Sequence, residues 1–217
     1  MWEEWKRRFQ LIIEASKKSN CKRSKLNIEP PATMKQIESV ENSLGKALPK
    51  SFRKVLVEFS SKVDVWWSLP DDKILPSSLR GIFCGNCEWN ILELIALEEG
   101  RKGWVEDCFP NPDDSYHSVW HNKLAFHGVM NGDMLALDLN VLDDSPVVYL
   151  SHDGADFHGT ILGNNFIDFI DRWSLLAFVG SEFWQLEKFI APSTIGLDPF
   201  CDNAIKWRDW FSLKINS

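Results

Sequence analysis

The sequence has no apolar run that approaches the roughly 18 residues of a membrane span. Its opening stretch, MWEEWKRRFQLII, puts charges where a secretory signal needs an apolar core. These two absences lead to the expectation of a soluble, cytoplasmic protein. Low-complexity tracts are missing as well. Cysteine is scarce and odd in number, and five thiols suit a reducing compartment better than a disulfide framework. There is no G-x-S-x-G elbow, no P-loop, no G-x-G-x-x-G turn and no H-E-x-x-H helix. The chain thus lacks the usual settings for a nucleophile, a nucleotide or a catalytic zinc. The expectation is no catalytic residue, no cofactor and no metal.

What the chain does carry is an uneven charge. Its 217 residues suit one sizeable domain, with a net charge of −7. Residues 1–30 hold eight basic and four acidic side chains, a balance of +4, whereas residues 98–158 hold twelve acidic and three basic, a balance of −9. A central acidic surface disfavours nucleic acid, which is bound by neutralising phosphates. It favours a basic protein partner, and no membrane partner is expected. Eleven tryptophans are many for this length. Most should be core, with some left for a contact surface.

Along the chain, Trp2, Trp5, Phe9, Ile12 and Ile13 fall at helical spacing, which predicts an amphipathic helix over 2–18. The basic, unpatterned SKKSNCKRSK that follows reads as an exposed linker, so 1–29 forms an N-terminal segment ahead of a main domain at 30–217. In PPATMKQIESVENSLGKALP, Thr33 and Gln36 can form a capping box, and Gly45 sits where a helix ends in a left-handed residue. Pro49 opens a second helix lined by Phe52, Val55, Leu56 and Phe59. Strands are expected around 65–67 and 81–83. A helix from Ile91 to Val105 should turn Leu94, Ile95 and Leu97 inward, and a loop should span Cys108–His117. Lys123–Val129 and Met134–Asp138 flank Asn131-Gly132, which predicts a hairpin with a type I′ turn. PVVYLS, at 146–151, adds a third strand. A helix from about Asn165 carries Phe166, Phe169, Ile170 and Trp173 inward, and a last one over 202–213 packs Ile205, Trp207 and Phe211 or Trp210. Helices, then a strand meander, then helices make the fold α+β.

Three clusters invite chemistry. Cys84 and Cys87 in CGNC have the spacing of a redox pair or half a zinc site, but the flanking residues read as a strand or turn, and Cys108 and Cys201 are lone. His117 and His121 stand four apart, yet prolines upstream favour a loop. His152, Asp153 and His158, beside the carboxylates of 133–156, are the most acid–base-like group, with no nucleophile motif to serve.

The order of several short signatures resembles the SUKH superfamily, in its bacterial branch related to the yeast cell-wall-assembly regulator (the Smi/Knr family). These are the helix ending in Leu44-Gly45 and Leu48-Pro49 with Phe52 beyond, the aromatic-led strand from Trp120 to Phe126, and Gly132-Asp133 before LALDL. The strand PVVYLS running into His152-Asp153-Gly154, and the helix from Phe166, complete the set. The resemblance covers about 30–178, and the closing WRDWF helix looks like a tail of bacterial members. It implies a single domain with a bent, mostly antiparallel sheet packed by N- and C-terminal helices. It also implies a non-enzymatic role. Bacterial members would be mostly immunity proteins that neutralise a cognate toxin, often a nuclease, whereas the fungal member would be a regulatory scaffold. The expectation is therefore a toxin-binding immunity protein that occludes its partner's active site. The alternatives are a regulatory scaffold and, as a third, a hydrolase using the acids of 133–158. Asp133, Asp138, Asp143, Asp144, Asp153 and Asp156 are the candidate contacts for a basic partner.

Overall fold

Trp5, Phe9 and Ile12, one turn apart on the first helix, sink completely into the same apolar core that holds the strands. The computed structural model describes residues 1–214 apart from 142, 143, 155 and 192–194. In chain order its elements are α1 (Trp2–Lys18), β1 (Arg23–Ile28), α2 (Met34–Leu44), α3 (Lys50–Glu58), β2 (Lys62–Ser68) and β3 (Cys84–Asn90). There follow α4 (Leu94–Asp107), α5 (His117–Trp120), the strands β4 (Lys123–Gly128), β5 (Met134–Asp138), β6 (Val147–Leu150) and β7 (Ile161–Gly163), then α6 (Phe166–Leu175), α7 (Phe183–Leu186) and α8 (Asp202–Trp210). The fold is α+β, with two antiparallel sheets ordered β1-β2-β3 and β4-β5-β6-β7. The bend expected of one sheet is realised as a break between two. His127 of β4 spans it, its Nδ1 lying 3.2 Å from the Glu88 carbonyl of β3.

Local signals work where the chain closes its own hydrogen bonds. Thr33 and Gln36 form the capping box, and Gly45 ends α2 at φ 68°. Asn165 caps α6 by accepting from the Asp168 amide at 2.9 Å. The hairpin is present, but its turn differs from the expected type I′. Gly132 alone has positive φ, at 101°, and Asn131 does not. The Gly132 amide donates to Val129 O at 3.0 Å and the Val129 amide to Asp133 O at 2.8 Å. This is a three-residue loop with glycine in the left-handed position, so one such residue suffices.

Other differences come from pairing at a distance. The basic segment after α1 is not an exposed linker throughout, because Arg23–Ile28 pairs antiparallel with β2, Leu26 opposite Val65. The strand expected at 81–83 lies instead at 84–90, where β2 supplies its partner. Ile205 is exposed, while Ala204, Trp207 and Phe211 face the core. β5 is covered on both faces. Leu135 and Leu137 join the main core, and Met134 and Ala136 join a second apolar cluster with Phe109, Trp120, Val148 and Leu150, roofed by the half-buried Leu97, Trp104 and Tyr116.

Candidate functional site

Asp133 follows Gly132 directly, so the left-handed turn aims its carboxylate back over β5 rather than outward. Its side chain is 0 % exposed. Oδ2 accepts from the Tyr149 hydroxyl at 2.6 Å and from Asn131 Nδ2 at 2.8 Å. Oδ1 accepts from the His152 amide at 2.9 Å and from His152 Nδ1 at 2.6 Å, which places a proton on Nδ1. Burial alone would push this carboxyl up, but the donors from Tyr149, His152 and Asn131 together hold it below the usual aspartate value. Burial, and then the neighbouring Asp133, push the Tyr149 phenol far above its ordinary range. Tyr149 lies opposite Leu135 in the β5–β6 ladder, and its oxygen also accepts from the Phe183 amide at 3.1 Å. One buried carboxylate thus ties together the β4–β5 turn, β6 and the loop beyond it.

That loop is pinned from a second side. The Tyr116 hydroxyl donates to Ser151 O at 2.6 Å and accepts from the Gly154 amide at 2.8 Å. His158 accepts from the Ser151 amide at Nδ1 and donates from Nε2 to Tyr116 O, both at 3.0 Å, and stacks on the Tyr116 ring 4.0 Å away. With one nitrogen accepting and the other donating, the His158 ring is neutral, and burial lowers its pKa accordingly. The Trp104 ring of α4 lies 5.1 Å from that of His152, inclined at 35°.

The six candidate aspartates divide. Asp133 is internal, as described. Asp138 is half-buried and pairs at 3.0 Å with Lys123, itself buried. Asp144 accepts from the Ser51 amide at 3.2 Å and the Ser51 hydroxyl at 2.8 Å, serving the N-terminus of α3. Asp153 and Asp156 are exposed, and Asp153 Oδ1 accepts from the buried Ser151 hydroxyl at 2.7 Å. Asp143 lies outside the described residues.

The remaining clusters disperse. Cys84 and Cys87 are three apart on β3, so their side chains leave opposite faces of the strand. Burial pushes the Cys84 thiol up to about 11 and that of Cys87 well above its ordinary value, which opposes thiolate chemistry. His121 Nε2 meets the Phe109 carbonyl at 2.8 Å and His117 Nδ1 meets the Asn111 amide at 3.4 Å, so the two do not converge. Among the described residues, no group of three or more His, Cys, Asp or Glu could hold a metal ion. None of the described Ser, Thr or Cys side chains hydrogen-bonds the His152 ring. The Asp133–His152 pair fastens the loop after β6 to the β4–β5 turn.

α4 lies within the helix expected from the sequence, extended to Asp107, but two of its inward-facing residues were not expected. Glu98 and Arg101 face inward, 1 % and 5 % exposed, and form a paired contact at 2.9 Å through both carboxylate oxygens. Arg101 also donates to Trp120 O. Because Arg101 and Lys123 are internal, Lys102 is the one exposed cation among the described residues of 98–158. The exposed carboxylates of that stretch are Glu99, Glu106, Asp107, Asp113, Asp114, Asp153 and Asp156. The exposed charge of residues 98–158 is thus more one-sided than the sequence balance. Glycines at 100 and 103 inside a helical run were the available signal.

Residues 31–172, more than half of the chain, match the model of the SMI1 / KNR4 family (SUKH-1). That span runs from the start of α2 into α6 and leaves α1, β1, α7 and α8 outside it. No match was found among curated proteins.

Proposed function

The chain belongs to the SMI1 / KNR4 family (SUKH-1), and on that premise we propose that it is a non-enzymatic immunity protein which binds a basic toxin and covers its active site. The observation that carries this reading is the exposed charge of residues 98–158, seven carboxylates against Lys102 alone among the described residues, on the stretch that also supplies the anchored Trp104–Tyr116–His152 cluster. Long-range attraction by exposed carboxylates raises the rate of encounter. Aromatic side chains already held in place lose little freedom on binding and carry most of the affinity. Asp153 and Asp156 act in steering. Asp133, Asp138 and Asp144 act indirectly, by holding the loops that present them.

Co-purification from the protein's own cells at low salt supplies the partner, whose toxicity in a host should be relieved by this chain. Reversing charge with Asp153→Lys and Asp156→Lys together should slow association about 10-fold at low ionic strength and flatten its salt dependence, with stability lowered by about 1 kcal/mol for the lost Ser151–Asp153 hydrogen bond. A partner whose toxicity is not relieved, or an association rate and salt slope that do not move, would count against the reading.

A further inference from the structure

One flank of α4 carries a feature that internal packing does not fully explain. Gly100, Gly103, Trp104, Asp107 and Cys108 line a shallow groove of about 310 Å³. Their spacing of three and four residues puts them on one face of the helix. A glycine inside a helix weakens it, so each needs a compensating reason. Gly100 has one, since a Cβ there would meet Met134 Cε at 3.4 Å, and its absence lets α4 lie close on β5. Gly103 has none. A Cβ built on it meets nothing within 4 Å, and its φ is not in the left-handed range. Its missing side chain leaves the groove open.

The walls of the groove define what it suits. Trp104 is half-buried and held from within by rings of His152, Phe109 and Trp120, with centroids 5.1, 6.1 and 6.1 Å away. Each of the six fully buried tryptophans donates its indole N–H to a protein oxygen, whereas Trp104 Nε1 has no acceptor among the described residues. Asp107, one turn beyond Trp104, is exposed and has no hydrogen-bond or ion-pair partner among the described residues. A smooth glycine floor, an indole and a free carboxylate in sequence match the three parts of an arginine side chain. The methylenes fit the floor, the planar guanidinium stacks on the indole, and its paired N–H groups meet the carboxylate. Lysine has the charge and the length but neither the plane nor the fork.

We infer that this groove is an arginine-side-chain site, filled by one arginine projecting from the basic partner. The inference rests on the acidic-face reading above and gives it a central contact. Asp107, exposed and lining the groove, supplies the charge complementarity.

The test uses the full chain and the peptide acetyl-Gly-Arg-Gly-amide, with its lysine and citrulline counterparts, followed by amide and indole NMR. The arginine peptide should give saturable shifts at Gly100, Gly103 and the Trp104 indole N–H at millimolar concentration. The lysine peptide should bind at least about 5-fold more weakly, and citrulline should not saturate. Gly103→Leu should fill the groove and abolish these shifts while its melting temperature stays equal or rises, because the added side chain points into open space. Absence of saturable shifts, equal binding of lysine or citrulline, or undiminished binding to Gly103→Leu would overturn the inference. The parent reading is scored separately: if charge reversal at Asp153 and Asp156 still impairs the partner while the peptides fail, only the arginine site falls.

Discussion

Asp133 and His127 are both buried titratable groups, and they load the fold in opposite ways. Asp133 is charged and satisfied by four hydrogen bonds. Asp133→Ala removes all four and strands the Tyr149 hydroxyl, so urea unfolding should show a loss of about 3 kcal/mol or more. Its folded pKa lies below the ordinary value of 3.8, so its contribution is complete above pH 3.8 and is lost as the pH falls through the lower folded value. His127 is 2 % exposed, its Nε2 has no partner among the described residues, and burial drops its pKa from 6.5 to about 4. Between those values the unfolded chain binds the proton and the folded chain does not. The His127 contribution should therefore lower stability as the pH falls over that window, by about 3 kcal/mol in total, and itself level off below it. Denaturant midpoints from pH 7 to 4 measure the slope, and His127→Leu should flatten it whatever its effect at pH 7.

At the scale of elements, α4 is docked on the β4–β7 sheet through a polar contact as well as an apolar one. Of Leu94, Ile95 and Leu97, only Leu94 is fully buried, and Glu98 and Arg101 occupy the rest of the inner face. A buried ion pair gives little net stability, because desolvation offsets attraction, but breaking it leaves the buried Glu98 carboxylate with only the longer contact to Lys46, at 3.7 Å, among the described residues. Arg101→Met should cost about 3–5 kcal/mol by equilibrium unfolding. Adding Glu98→Leu should recover part of that loss, since the stranded carboxylate disappears. A double variant as unstable as the sum of the two singles would mean that the pair is not coupled. The contact of α1 with α6 is likewise polar at its edge. Asp171 accepts from Trp5 Nε1 at 2.7 Å and Arg8 at 3.1 Å, and Arg8 also donates to the Ser174 hydroxyl at 2.8 Å.

At the scale of the molecule, the matched span and the core do not coincide. The family match begins at residue 31, yet Trp5, Phe9 and Ile12 ahead of it and Trp207 and Phe211 beyond it are fully buried in the same apolar cluster. A fragment of residues 31–172 should therefore show no cooperative unfolding transition. A fragment that melts cooperatively would show the flanking helices to be accessories. The sequence by itself determined the elements whose hydrogen bonds close nearby: α1 from its apolar spacing, α2 from the Thr33–Gln36 box and Gly45, and the β4–β5 hairpin from Asn131-Gly132. It also determined the α+β class and the family, because those depend on the order of such elements. Only the tertiary structure decided that Arg23–Ile28 is a strand, since its partner is β2, some 40 residues away in the chain. It also decided which acids reach the surface. Asp133 and Asp153 each stand beside a glycine near a strand end, but one is enclosed by Tyr149 and His152 and the other is exposed. Burial depends on what other segments bring to the same place, and local spacing does not record that.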